Sequence, residues 1–190
     1  MTRFTKEDWL KLGARLLAEE GAAALTIERL TAAARRTRGS FYHHFADRDA
    51  FVKAMMERWR SEVIDVWGLR YQQAASPAEL RRLMREQPME LDHRFERAAR
   101  RWAASEPIVG EVVDAVDRAR IEGLGCFLAY VRPDLEDPQS AAFVQYAALV
   151  GMQWLLEGLD DPRVPAIRKA GNRIFGLDEP EDSTGSDAKT

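Results

Sequence analysis

The chain has 190 residues, 46% of them hydrophobic, a formal charge of −3 and one cysteine. That length supports one sizeable core or two small helical cores sharing a border, and the lone Cys126 excludes an internal disulfide and lacks partners for a structural zinc site, so it reads as a small core residue. No uncharged apolar run reaches the roughly 18 residues of a membrane span, and the opening MTRFTKEDWL carries acids where a signal peptide is apolar, which points to a soluble, cytoplasmic protein.

Strand signals are nearly absent, and Ala, Leu, Arg and Glu dominate, so the expected fold class is all-α. Thr5 is the N-cap of a first helix, with Asp8 as its capping-box partner and Trp9, Leu12, Leu16 and Leu17 at helical spacing; Gly21 stops it. A second helix begins after Thr26, turns Ile27, Leu30, Ala33 and Ala34 inward, and fades at Arg35-Arg36. Thr37 caps a third. At about 100° per residue, Phe41, His44 and Phe45 fall on one side of that helix and Arg38, Gly39, Tyr42 and His43 on the other. Asp47 caps a fourth helix, about 48–73, whose stripe is Phe51, Met55, Trp59, Val63 and either Val66 or Trp67. It ends near the break at Ser76-Pro77.

Beyond that break, Pro77, Pro88, Pro107, Pro133, Pro138 and Pro162 are expected at the joints between further helices, the last running from about Val164 to Phe175. Residues 178–190 are polar and acidic and are expected to be disordered. The expected domains are a head at 1–48, a helical body at 49–177 and that tail.

Residues 1–60 hold twelve Lys and Arg against eight acids, a charge of +4, which leaves −7 for the rest. Nothing between Arg29 and Ala46 is acidic, so the positive field gathers on one short segment, either as a solvated face or as a surface for a polyanion. Three short helices, the second and third joined by a tight turn, have the proportions of a helix-turn-helix unit, whose presented helix enters the major groove of DNA. Gly39 and Ser40 let backbone approach closely. Arg38 can reach guanine or phosphate, Tyr42 and His43 can donate to phosphate or read a base edge, and Thr26, Thr37 and Arg48 sit at helix starts that favour phosphate. Neighbouring His43 and His44 diverge by about 100° on a helix and do not chelate one ion unaided; His44 reads as half-buried at the helix junction. No nucleophile motif surrounds Ser40 or Cys126, so no catalytic or metal site is expected.

In combination, LLAEEGAAALTIERLTAAARRTRGSFYHHFADRDAFVKAM, residues 16–55, resembles the N-terminal DNA-binding domain of the TetR family of transcriptional regulators. The resemblance implies a homodimeric repressor on a palindromic operator, a C-terminal helical domain that binds a small effector, and no cofactor. Two positions depart from the family pattern. Its turn usually has a small or polar residue and then an aliphatic one, where this chain has Arg35 and Arg36, and Arg36 must run its stem along the core edge with its head in solvent or on phosphate. The family's common lysine after Phe45 is Ala46 here, so Arg48 is expected to take over its phosphate.

Family members of this size pair through two long C-terminal helices, here about Pro107 to Val131 and Pro138 to Leu159. The expected interface residues are Val116, Cys126, Phe143, Ala147, Val150, Gly151 and Trp154, with Ala142 and Ala148 among the small residues that permit close approach; an ordinary buried core helix is the competing reading. The expected pocket residues are Trp67, Tyr71, Met84, His93, Phe95 and Trp102, with Arg94 as a further polar anchor, or else they are core. A different class, a helical small-molecule carrier or enzyme with an incidental basic N-terminus, needs convergent titratable groups after residue 60, where Asp and Glu are scattered. A sequence-indifferent DNA binder needs basic charge throughout, which the −7 denies.

Overall fold

Four short polar side chains set the starts of the first four helices. In the computed structural model, which describes residues 4–156 and 158–177, Thr5 Oγ1 accepts the Asp8 amide at 3.2 Å while the Asp8 carboxylate accepts the Thr5 amide at 2.8 Å, and α1 (Lys6–Glu20) follows. Thr26 caps α2 (Ile27–Ala34) by accepting from the Arg29 amide at 3.1 Å, and Thr37 caps α3 (Arg38–Tyr42) by accepting from Ser40 at 3.2 Å. Asp47 caps α4 (Arg48–Ser61) at 2.7 Å from the Ala50 amide. Each such cap stabilises its helix by about 1 kcal/mol. Gly21, at φ 83°, turns the chain out of α1 into a single 3-10 turn, Ala22–Ala24. The expected tail, 178–190, lies outside the described residues.

The turn between α2 and α3 holds an unusual residue. Arg35 ends α2 in the left-handed conformation at φ 51°, where an L side chain crowds its own carbonyl. Arg35→Gly is expected to raise unfolding stability by about 0.5 to 1 kcal/mol, the relief of strain exceeding the added chain entropy of glycine. A urea midpoint that falls instead would show that the arginine side chain holds this turn.

Inside the head, Trp9, Leu16, Leu17, Leu30, Phe41, Phe51, Val52, Met55 and Met56 are fully buried, with Phe41 standing edge-on to Trp9 at 5.4 Å. With the α4 residues Phe51, Val52, Met55 and Met56 this core already passes residue 48, the expected end of the head. It continues through Phe95, Ala99 and Trp102 of α7 (His93–Ala103) and Val109, Val113 and Val116 of α8 (Pro107–Val131). A second core gathers the end of α8 (Leu124, Phe127, Leu128, Val131) with Ala142 and Tyr146 of α9 (Pro138–Leu155) and Leu177, which follows α10 (Val164–Phe175). No strand occurs among the described residues, and none of their helices is long and apolar enough to cross a membrane.

The fourth helix is not uniform. After Ser61 it widens into a π-helical segment, Glu62–Val66, and resumes as α5 (Trp67–Gln72) before α6 (Pro77–Glu90). Its buried residues Phe51, Met55, Trp59, Val63 and Trp67 are four apart. Each step of four overshoots a full α-helical turn by about 40°, so the stripe would drift by about 160° along the rod. A wider turn takes up part of that drift and keeps both Val63 and Trp67 inward, while Val66 is left exposed. Pro88, expected at a joint, lies instead inside the last turn of α6. A proline there removes one helical hydrogen bond close to the end, where carbonyls lack partners in any case.

Candidate nucleic-acid interface and an internal cavity

Helix α3 buries one side and presents the other. Phe41 and Phe45 are buried, and half-buried His44 donates from Nε2 to the Phe4 carbonyl at 3.2 Å. On the outer side Thr37, Arg38, Gly39, Tyr42 and His43 are exposed, Tyr42 at 51%, with Ser40 half-buried beside them. The Gly39 position is open, a side chain there meeting only the Thr37 hydroxyl at 3.7 Å. The hydroxyls of Thr26 and Thr37 accept from the backbone, which leaves each O–H for a phosphate. Arg36 runs its guanidinium over the Phe4 ring at 5.6 Å, the edge-of-core path its position requires.

Two contacts on this face join residues distant in sequence. Arg38 pairs with Glu28 of α2, and Arg29 pairs with Glu20 of α1. The acid-free stretch therefore loses part of its positive field to carboxylates just outside it. The Arg38–Glu28 pair is solvent-exposed on both sides and is worth only about 0 to 1 kcal/mol. Arg38 can thus leave Glu28 for an anion at little cost.

Arg48, expected to hold a phosphate, also has partners within the chain. Its Nε donates to the Leu25 carbonyl at 3.1 Å, its NH1 reaches Glu106 at 3.4 Å, and its guanidinium lies 5.5 Å above the Trp102 ring. Leu25 belongs to the head, whereas Trp102 and Glu106 belong to the body, so the arginine spans the junction between them.

Within the body a cavity of about 170 Å³ is bounded by the π segment and α5 (Val63, Ile64, Gly68, Tyr71), by α6 (Met84, Gln87, Pro88), by α8 and by α9. Of the expected pocket residues only Tyr71 and Met84 line it. Phe95 packs against Trp59 at 5.6 Å and Trp102 beneath Arg48, both in the main core, because α7 turns its apolar face to the head. Trp67 is buried next to Tyr71 under Arg70, His93 donates from Nε2 to the Pro88 carbonyl at 2.7 Å, and Arg94 is exposed.

The cavity's polar wall was not anticipated. Arg120 and Tyr146 line it, and behind them stands a buried network. Arg120 donates to both oxygens of Glu96 at 2.6 and 3.0 Å, and Gln153 donates to Glu96 at 2.8 Å. Arg100 grips Asp117 with two bonds of 2.7 Å, and the Tyr146 hydroxyl donates to the same carboxylate at 2.7 Å. Burial opposes the ionisation of Glu96, yet the hydrogen bonds and charge of Arg120, with Gln153, outweigh it and hold the carboxyl below its usual range. Burial pushes the Tyr146 phenol up to about 12. A signal was present in the helical phase: Glu96 stands one turn before buried Ala99, and Gln153 seven residues after buried Tyr146, so both are polar residues on inward faces.

Along the outside of α9, Phe143 is 60% and Trp154 47% exposed, Ala147 is exposed between them, and Val150 and Gly151 are half-buried. Tyr130, Val144 and Leu155 are also exposed. One expectation for the pairing surface needs correction: Val116 is fully buried in the main core, on the side of α8 that faces the head. Cys126 is exposed, which overturns its reading as a core residue and leaves it accessible to a partner.

Residues 10–55 match the family model of bacterial regulatory proteins of the tetR family. Over about nine-tenths of the chain the fold is similar to solved structures. These include a transcriptional regulator from Rhodococcus (18% identity, 91% of this chain and 95% of that one covered, TM-score 0.69). A proposed regulator from Saccharomonospora viridis in complex with choline superposes with a TM-score of 0.73 at 15% identity, covering 90% of this chain and 95% of that one. SmeT, the repressor of the Stenotrophomonas maltophilia multidrug efflux pump, gives 0.65 at 21% identity and covers 93% and 94%. No curated protein matches the chain.

Proposed function

We propose that this chain, which carries a TetR-family helix-turn-helix head on the fold of that family's regulators, is a sequence-specific DNA-binding regulator, a homodimeric repressor that a small molecule releases from a palindromic operator. The observation that carries the reading is the two-sided α3: its aromatic side closes the head core while Thr37, Arg38, Gly39, Tyr42 and His43 form an exposed strip free to enter a DNA groove. Arg38 reads guanine after leaving Glu28, and Tyr42, His43, Arg36, Thr26, Thr37 and the Ser40 region hold phosphates. SmeT is a repressor and the Saccharomonospora protein holds choline; the same fold here, with a cavity in the body, supports repression and effector binding for this chain. It works in the cytoplasm, where its operator is, and no catalysis is assigned to it.

A head this small buries too little to bind specifically alone, and a palindrome requires two heads about 34 Å apart. The exposed apolar side of α9 supplies the pairing surface. The rod from α4 to α5 links both activities. Its lower end, Val63, Ile64 and Gly68, is cavity wall, and its upper end is anchored at the head-body junction by Arg48. A ligand that binds better when the two heads are wrongly spaced shifts the population away from DNA by its difference in affinity for the two spacings.

Selection of bound sequences from random DNA tests the reading: a palindrome is expected, and no enrichment removes it. On the selected site Tyr42→Ala is expected to weaken operator and random DNA alike and to leave the salt slope nearly unchanged, because an uncharged phenol displaces no counterion from the phosphate it holds. Arg38→Ala is expected to relax sequence preference by about 1 to 3 kcal/mol. Titrations at two salt concentrations that leave both variants unchanged would take α3 out of the interface.

A further inference from the structure

We infer that the body cavity accepts a small neutral molecule, about the size of a substituted benzene, that offers one hydrogen-bond donor and one acceptor, and that it discriminates against carboxylates and ammonium groups. The inference rests on the effector reading for its purpose but on the cavity for its chemistry.

Size comes first. The pocket's 170 Å³ is close to the about 150 Å³ of an engineered apolar cavity that admits benzene, so its interior takes one ring while its open side faces solvent. Most of the wall is apolar, with Val63, Ile64, Met84, Leu124 and Leu149 facing the space. An apolar ring is therefore the natural filling.

Polarity narrows the class. Two lining residues, Tyr71 and Gln145, carry a buried oxygen without a hydrogen-bond partner, the Tyr71 hydroxyl and Gln145 Oε1. A buried polar atom left unpaired is costly, and a ligand that pairs it recovers that cost. Burial pushes the Tyr71 phenol above its ordinary value, so it stays protonated and donates to an acceptor on the ligand. Gln145 Oε1 accepts from a donor. A primary amide or a phenol on a ring meets both demands.

Charge closes it. The cation in the wall, Arg120, is already matched by Glu96, and its neighbour Arg100 is matched by Asp117, each through two hydrogen bonds. Every one of these charges has its counter-charge within 3.0 Å. Arg120 keeps one buried N–H, Nε, without a partner, a second donor for a ligand oxygen. Its charge and that of Arg100 are already balanced, however, so a carboxylate or an ammonium set against this wall adds a charge with no counter-charge, which is unfavourable.

The test uses the full chain at neutral pH with four probes of one shape: benzamide, benzoate, benzylammonium and toluene, followed by calorimetry and melting temperature. Saturable benzamide binding is expected, with the two ions and toluene at least about tenfold weaker. Tyr71→Phe and Gln145→Leu should each weaken benzamide by about tenfold and leave toluene unchanged. Because Tyr71→Phe deletes only an unpaired oxygen, its ligand-free melting temperature should equal or exceed the parent's. Benzoate or benzylammonium binding as tightly as benzamide, benzamide indifferent to both substitutions, or no saturable binding of any probe would overturn the inference. Benzamide binding that leaves DNA occupancy untouched upholds the cavity chemistry and counts against the effector reading alone.

Discussion

Glu96→Ala is expected to cost the folded chain about 3 to 5 kcal/mol, the range for stripping one partner from a buried ion pair. Glu96 is 1% exposed on α7 and ties together Arg120 of α8 and Gln153 of α9. Alanine removes the charge and leaves the Arg120 guanidinium buried with no anion beside it. The loss should not stay in the body, because Phe95, Ala99 and Trp102 of the same helix complete the core of the head. One cooperative urea transition with a lower midpoint is the expected result.

The double substitution Glu96→Met with Arg120→Met is the informative companion. Replacing a buried pair by apolar residues of similar volume is often neutral or stabilising, so the double variant should recover most of what the single one loses. A double variant as unstable as Glu96→Ala would show that the three helices need these hydrogen bonds for their geometry. Acid should act on the same link. The folded-state value of Glu96 lies below its unfolded one, so its contribution is complete above about pH 4.3 and fades as the pH falls through the lower value. The alanine variant should lack that part of the acid decline.

Phe143→Glu is expected to have the largest effect on DNA binding. Phe143, Ala147, Val150 and Trp154 are three or four residues apart and lie on one outer face of α9. In the twofold pair proposed above each substitution counts twice, and each carboxylate would enter an apolar seam where a ring should pack. Sedimentation should show a monomer, and operator affinity should fall about a thousandfold or more, to the non-specific level. Affinity for random DNA at low salt should change far less, since the phosphate contacts belong to each head separately. A variant that stays paired at the parent's concentration would move the interface to another face.

Much of the head was legible because its signals are local. Caps at Thr5, Thr26, Thr37 and Asp47 bond to amides three residues on, and the split of α3 into Phe41 and Phe45 against Arg38, Tyr42 and His43 follows from helical phase alone. What spacing does not reveal shares one cause. A cation at a helix start favours anions, which is all that spacing says of Arg48, whereas its partners Leu25 and Glu106 lie 23 and 58 residues away. Phe95 and Trp102 have the composition of a ligand box, and only the packing of α7 on the head makes them core.

The residue order by itself determined the all-α class, the helix starts and the exposed strip of α3, since each depends on spacing within a turn or two of one helix. Tertiary structure alone decided that Glu28 holds Arg38, that α7 joins head to body, that the rod widens at Glu62–Val66, and that a cavity lies against Arg120, Tyr71 and Gln145. The physical reason is range: a cap or a stripe is set by neighbours in the chain, whereas a void or a matched buried charge exists only once helices distant in sequence have packed, and many arrangements of the same stripes would place them elsewhere.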